Sequence, residues 1–382
     1  MKKGVLRASA LLLGLSLVGV ACGGSDSSAP KVVECTSPVA TLGLQFPETG
    51  GAALLGAPML EGAQLAIDEY NAENPDACVA LKKFDTQGDP AKAPAVAQAA
   101  IDDPAILGIM GPGFSGESNA ALPKYEAAGL AAVTGSATNA ELQNNEWKVW
   151  FRILANDAVQ GPGIAEYIAN TLKPKSIGII DDASDYGKGL AGNVKDAVSG
   201  ATIVTDTINV DAADFAAAVS KMKDANPDVI FYGGYYAEAA KLATQLRDAG
   251  VKSQLVFGDG VKSVEGFITA AGPAAEGAIV ACPCKDGGAD FTAKWRAKYD
   301  KAPGTYGTEY YDIANLYLSL IKAGAKDRAT VLAGVKAANF KGITKTIKFE
   351  ANGDVVASEA GKIYISKVEN GEFTALETID VK

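Results

Sequence analysis

Residues 106–139 read ILGIMGPGFSGESNAALPKYEAAGLAAVTGSATN, and their order decides the fold class. An apolar run at 106–111 ends in Gly111-Pro112-Gly113-Phe114-Ser115-Gly116, and a helix-forming stretch follows at 118–128. Gly129 then stands where a left-handed cap belongs, and a second apolar run at 131–134 ends in Gly135-Ser136-Ala137-Thr138-Asn139. Strand, glycine turn, helix, strand is the repeating unit of a parallel α/β sheet. The apolar runs are continuous rather than alternating, as expected of strands covered on both faces.

The same unit recurs along most of the chain. Further strands are predicted at 41–46, 79–86, 176–182, 202–208, 229–233, 255–258 and 278–281, with helices at 56–72, 94–102, 187–198, 215–225 and 237–249. Leu60, Ala63, Ile67 and Tyr70 give the first helix its three-and-four spacing, as Leu242 and Leu246 do the last. The rhythm breaks near 144–163, where Trp147, Trp150, Phe151 and Arg152 precede Asn156-Asp157 and Gly161-Pro162-Gly163, which marks a change of domain. Past Pro283 come helices at 306–323 and 330–338, then two strands at 362–368 and 373–381 around Asn370-Gly371. The expected architecture is two α/β lobes, each a mostly parallel sheet flanked by helices. Ligands of such sheets bind beyond the carboxyl ends of the strands, so function is sought in the strand-to-helix turns.

Composition narrows the chemistry. The 382 residues are 48% apolar and 21% charged, ordinary for a chain that buries real cores, and the formal charge of -10 gives nucleic acid no basic face. There is no histidine, which excludes Ser-His-Asp and Cys-His mechanisms and His-ligated zinc. Lys2, Lys3 and Arg7 precede an apolar run from Ala8 to Ala21, about the length of a signal-peptide core and too short to span a bilayer. Gly19-Val20-Ala21-Cys22 and the polar stretch after it resemble a bacterial lipoprotein signal with Cys22 lipidated, although Gly19 stands where leucine is usual. An ordinary secretory signal is the other reading, and both export the chain. Loss of residues 1–21 removes three positive charges and leaves a net charge near -13. Residues 22–35 read as a flexible tether, and export permits disulfides. Cys35 and Cys78 each precede a predicted strand and are expected to pair, whereas the state of Cys282-Pro283-Cys284 stays open.

The turns carry the functional signal. Gly111–Gly116 spells G-x-G-x-x-G, but it follows the third strand rather than the first, and no acidic residue ends the next strand. What survives is a glycine turn presenting backbone N–H groups and the Ser115 hydroxyl at a helix start, beside the hydroxyl-rich turn at 135–139. Together they favour a small anion such as a carboxylate. Ordinary helix capping is the simpler reading of the same hydroxyls. In the second half, the turns hold Asp181–Gly189 with Tyr186, Gly233-Gly234-Tyr235-Tyr236, and Asp259 between Gly258 and Gly260. Tyrosines there would line a slot, and an acid flanked by glycines would present an open carboxylate to a cation. The Asp181, Asp182 and Asp185 cluster lacks calcium-loop spacing, so no metal is expected.

These turns, in this order, resemble the periplasmic leucine/isoleucine/valine-binding proteins, the type I solute-binding proteins of branched-chain amino acid ABC transporters. The matching pieces are Gly62-Ala63 with Ala66-Ile67 and Asn71, Gly135–Asn139 with Glu141-Leu142, Gln160-Gly161-Pro162, Tyr186–Ala191, and Tyr232–Tyr235. The resemblance implies a two-lobed fold crossed three times, near 157, 282 and 346. One lobe would be 36–157 plus 283–345 and the other 158–282 plus 346–382. It implies a ligand carboxylate held by Ser115 and by the backbone and hydroxyl groups of Ser136 and Thr138, with Ala137 of the same turn also at the ligand. The ammonium would meet a backbone carbonyl near Ser136 and Asp259, where the family often has glutamate; Tyr186 and Tyr235 would close over the ligand, and Tyr306 would contribute to the pocket. Leu55 falls near a position where the family commonly has an aromatic wall, which leaves room for a differently shaped ligand. No enzyme activity and no cofactor are implied. The expected partners are a neutral amino acid, an ABC transporter permease and, through a lipid anchor, the membrane, with the protein a monomer. A sensor of the same fold, or a binder of a small amide, urea or aromatic acid, is the alternative.

Overall fold

The computed structural model describes residues 35–210 and 212–381. The predicted signal segment, Cys22 and the tether before residue 35 lie outside the described residues. Strands β1 (Ala40–Phe46), β2 (Val79–Asp85), β3 (Ile106–Met110), β4 (Ala132–Thr134) and β5 (Trp150–Arg152) form one parallel sheet in the order β2-β1-β3-β4-β5. A second sheet is built from β6 (Ser176–Asp181), β7 (Thr202–Thr207), β8 (Val229–Gly233), β9 (Gln254–Phe257) and β10 (Ile279–Cys282), all parallel to their neighbours in that set. After a short ladder of β11 (Phe340–Lys341) with β12 (Thr346–Ile347), the hairpin of β13 (Lys362–Glu369) and β14 (Glu372–Asp380) adds to its edge. The final order is β14-β13-β10-β9-β8-β6-β7, with β13 antiparallel to β10. Asn370 and Gly371 both take positive φ, 55° and 82°, which is the backbone a two-residue hairpin turn demands.

Helices α1 (Ala53–Glu73), α2 (Ala93–Ile101) and α3 (Ser115–Ala128) connect strands of the first sheet. Helices α4 (Asp157–Tyr167), α5 (Asp185–Ala197), α6 (Ala216–Ala225) and α7 (Tyr236–Asp248) belong to the second half. The next three, α8 (Gly288–Tyr299), α9 (Gly307–Lys322) and α10 (Arg328–Lys336), follow β10 in sequence, yet α9 and α10 pack on the first sheet. Tyr317 of α9 donates to the carbonyls of Ile109 (3.0 Å) and Ala131 (3.1 Å), and Arg328 of α10 donates to those of Ile106, Ile101 and Asp103. The chain therefore leaves the first sheet after β5 and returns to it after β10.

Three details differ from the sequence reading. Strand β5 was not anticipated, because three residues of Trp-Phe-Arg carry no β-branched run. Strand β7 was expected to be buried, but it is the sheet's edge and most of its side chains reach solvent. Helix α3 begins at Ser115 rather than 118, because the Glu117 carboxylate turns back to accept the Phe114 N–H at 2.9 Å and caps the start. Gly129 and Gly250 both adopt the left-handed conformation that ends their helices. Cys35 and Cys78 form a disulfide with Cα atoms 5.7 Å apart, and Cys282 and Cys284 form another. Among the described residues no helix is long and apolar enough to cross a membrane, and no group of side chains has the make-up of a metal site.

Candidate functional site

Asp259 occupies the centre of the space between the two sheets. It follows β9 in a tight turn, Asp259–Val261, and it is fully buried. Its flanking glycines are required by close approach. A Cβ on Gly258 would lie 2.6 Å from the Tyr186 hydroxyl, and one on Gly260 would lie 2.7 Å from the Gly234 carbonyl. Three groups donate to the carboxylate: Gln160 Nε2 at 2.7 Å and Tyr186 OH at 2.8 Å to Oδ1, and Tyr306 OH at 2.6 Å to Oδ2. Burial pushes the Asp259 carboxyl above its usual range, and these three donors pull it back. Tyr306 stands immediately before α9, which packs with the first sheet, so its bond joins the two lobes. Its backbone is held at φ 70°, a left-handed conformation that costs a non-glycine residue about 1–3 kcal/mol and that marks functional positions. A carboxylate has about four lone-pair sites. With two donors on Oδ1 and one on Oδ2, a single acceptor site remains, on Oδ2.

A second acid shares the space. The Asn156 side chain accepts the Ala158 N–H and caps α4, which puts Asp157 in the first turn and Gln160 three residues on, along the same face. Asp157 is completely buried, and neither of its carboxylate oxygens has a hydrogen-bond partner. Burial holds its carboxyl well above the ordinary range, and the neighbouring Asp259 raises it further. The Thr138 side chain beside it and the Arg152 charge pull it back down, and Thr138 Oγ1 is itself buried without a hydrogen-bond partner. Two buried acids, one unpartnered, are costly unless a cationic donor lies between them.

Across from the acids is the hydroxyl-rich side. Ser115 opens α3, where the first N–H groups have no intrahelical partner, and its Oγ accepts the Asn139 N–H at 3.1 Å, joining the two turns. Ser136 is tied down differently from the expectation for a carboxylate donor: its hydroxyl donates to the Gly113 carbonyl at 2.6 Å and lies 3.0 Å from Tyr310 OH. The Ser136 and Ala137 N–H groups both point to Thr134 Oγ1. The free donors facing the space are thus the Ser115 and Thr138 hydroxyls and the start of α3. Arg152, fully buried, fixes the 135–139 turn by donating to the carbonyls of Ala137 (3.2 Å) and Asn139 (2.8 Å) while pairing with Asp354 at 2.6 Å. Glu117, pushed up to about 7 by burial against the opposing bonds from Thr86 and Phe114, anchors the other turn, 111–116, by accepting the Phe114 N–H and the Thr86 hydroxyl.

The lobes are closed on each other. Tyr235 packs between Tyr186 (ring centroids 5.2 Å) and Phe114 (4.8 Å), Asn139 donates to the Asp185 carbonyl, and Leu54 N–H reaches Tyr236 OH at 3.3 Å. Ser115, Thr138, Tyr186, Tyr235, Asp259 and Tyr306 therefore converge, with Ser136 and Ala137 supporting them from the turn. Leu55 is fully buried and belongs to the hydrophobic core. Asp157, Phe114, Arg152 and Tyr310 escaped the sequence reading. Asp157 was seen only as part of a boundary, although its place directly after an asparagine cap was the available signal.

Two parallel-sheet lobes meeting over an acid and a hydroxyl-lined helix start define the type I periplasmic binding fold. A profile of the periplasmic binding protein family matches residues 40–372, and the chain belongs to that family, among its branched-chain amino acid binding members. The leucine-, isoleucine-, valine-, threonine-, and alanine-binding protein of Pseudomonas aeruginosa is 30% identical over 366 residues, covering 93% of this chain and 95% of that relative. The Leu/Ile/Val-binding protein of Citrobacter freundii is 31% identical over 82% of this chain and 87% of its own length. Among solved structures, the branched-chain amino acid transporter substrate-binding protein of Streptococcus pneumoniae, in complex with isoleucine, superposes with a TM-score of 0.81 at 28% identity, over 89% of this chain and 99% of that one. Members of this family are substrate-binding components of transporters and not enzymes.

Proposed function

We propose that this chain is the extracytoplasmic binding component of an ABC transporter, that it holds a branched-chain or other neutral α-amino acid between its lobes, and that it delivers the ligand to a membrane permease. The observation that carries the reading is the unpartnered Asp157 carboxylate beside the one remaining acceptor site of Asp259. An ammonium group has three protons to donate, and these two acids supply opposite charge for it in a water-excluded space. The Ser115 and Thr138 hydroxyls and the start of α3 supply the complementary anion site. A zwitterion satisfies both ends, whereas an amide, urea or simple carboxylate leaves the acids unpaired.

In this proposal the lobes comprise 36–157 plus 283–345 and 158–282 plus 346–382. The two halves of the ligand site lie on different lobes, so the full binding energy exists only in the closed form, and ligand shifts the population toward closure. Residues 1–21 direct export, and a lipid on Cys22 holds the protein at the outer face of the cell membrane. The test is a thermal-shift panel of α-amino acids, amides, ureas and carboxylates on the purified protein. A rise in melting temperature confined to α-amino acids supports the reading. A rise with amides or with acids lacking an ammonium, and none with amino acids, refutes it.

A further inference from the structure

The geometry points to Phe114 as the residue that limits the size of the ligand side chain, which makes short side chains such as those of alanine, threonine and valine fit better than those of leucine or phenylalanine. This inference rests on the amino-acid reading above. Phe114 immediately precedes Ser115 and its ring meets Tyr235, so a ligand whose carboxylate sits at Ser115 and that Tyr235 covers brings its side chain toward Phe114. The residues leading into α1, Gly50, Gly51, Ala52 and Ala53, are small, and the Leu54 side chain that follows them is exposed. Leu55 supplies no bulk there, since it is fully buried in the core.

Phe114 fills the space instead. It immediately precedes Ser115, and its backbone is fixed by the 2.9 Å bond from its N–H to Glu117. Only 5% of it is exposed, and its ring meets Tyr235 of the other lobe at 4.8 Å, so no ligand atom fits between the two. On its far side, the ring edge lies 3.5 Å from where a Gly88 Cβ would stand, and Ala52 closes the same corner at 3.2 Å. The ring is therefore wedged between α1, the turn at Gly88 and Tyr235, and a long ligand side chain has to displace it.

Calorimetric titration of glycine, alanine, valine, leucine and phenylalanine into the wild type, Phe114→Ala and Phe114→Leu tests this. The wild type is expected to prefer alanine or valine to leucine, and Phe114→Ala to move the leucine-to-alanine affinity ratio toward leucine by about tenfold or more, since each buried methylene is worth about fourfold. Phe114→Leu keeps an apolar side chain in the core and is expected to shift the ratio in the same direction by less. A wild type that prefers leucine, with ratios within about threefold of it in both variants, overturns the assignment of Phe114 while leaving the amino-acid reading intact. Binding of no amino acid by the wild type overturns that reading and this inference with it.

Discussion

Replacing Asp259 with asparagine removes one charge while keeping the shape of the centre. Gln160 and Tyr186 still donate to the amide oxygen, and the Tyr306 hydroxyl turns to accept from the new NH2 group, so the three bonds that surround Oδ1 and Oδ2 survive in kind. Without ligand, the variant is expected to be no less stable at pH 7. Burial raises the Asp259 carboxyl in the folded protein, so its ionised form is a penalty on folding that grows as pH rises above the unfolded value and is absent in acid. Asparagine removes that penalty. Ligand binding should respond in the opposite sense. A charged hydrogen bond is worth about 1.5–3 kcal/mol, and truncating one partner of a buried charge pair costs about 2–5 kcal/mol. With Asp157 still present to meet the ammonium, a loss of about 2–4 kcal/mol is expected, which weakens affinity roughly 30- to 1000-fold. Isothermal titration of a bound amino acid into wild type and Asp259→Asn at pH 7 reads this directly. A dissociation constant within about threefold of wild type, in a variant with an unchanged melting temperature, refutes the placement of the ammonium.

Other predictions follow from the packing around the centre. Glu309 is fully buried, accepts the Lys285 N–H at 2.9 Å, and is pushed up to about 7 by burial from 4.5. Its folded form holds its proton more tightly than the unfolded chain does, so stability falls as pH rises from about 4.5 through 7. Glu309→Gln should therefore raise the unfolding free energy read from urea melts at pH 8, by up to about 3 kcal/mol, and leave it unchanged at pH 4.5, and a pH-independent difference would contradict the cause given. Gly189 of α5 faces Asn139 so closely that a Cβ there would lie 2.7 Å from Asn139 Nδ2. Gly189→Ala should hinder closure and the bond from Asn139 to Asp185, weakening ligand about fivefold by calorimetry, and unchanged affinity would show that the lobes need not approach as closely. The Cys282–Cys284 disulfide ends β10, where the chain turns back toward the first lobe. The double serine variant should bind ligand with an altered association rate in stopped-flow fluorescence; an identical rate would remove the disulfide from the opening motion.

The fold was legible because the repeated unit of buried run, glycine turn and amphipathic helix carries its own signature, as residues 106–139 show. What escaped was short or context-dependent. β5 is three residues long and has no periodicity to detect. The exposure of β7 depends on its being last in the sheet order, which local sequence does not encode. Within the site, Asp259 stood out because glycines bracket it, and Tyr186 and Tyr235 because they sit in turns. Asp157 carries no such mark: its importance comes from lying beside Asp259, about a hundred residues away in the chain, and from having no partner there. The partner of the Ser136 hydroxyl is likewise invisible in sequence, since a hydroxyl in a turn looks free until the Gly113 carbonyl is found at 2.6 Å. Phe114 reads as an interruption of a glycine turn, and only the meeting with Tyr235 across the lobes gives it a role.

The central claim is that one zwitterion spans the closed cleft, with its ammonium between the two acids and its carboxylate at the start of α3. A crystal structure of the protein with a bound α-amino acid tests it most directly. The account predicts the ammonium nitrogen within hydrogen-bonding distance of both Asp157 and Asp259 Oδ2, and the carboxylate on Ser115 and Thr138. A ligand bound the other way round, or with its ammonium distant from Asp157, would contradict it.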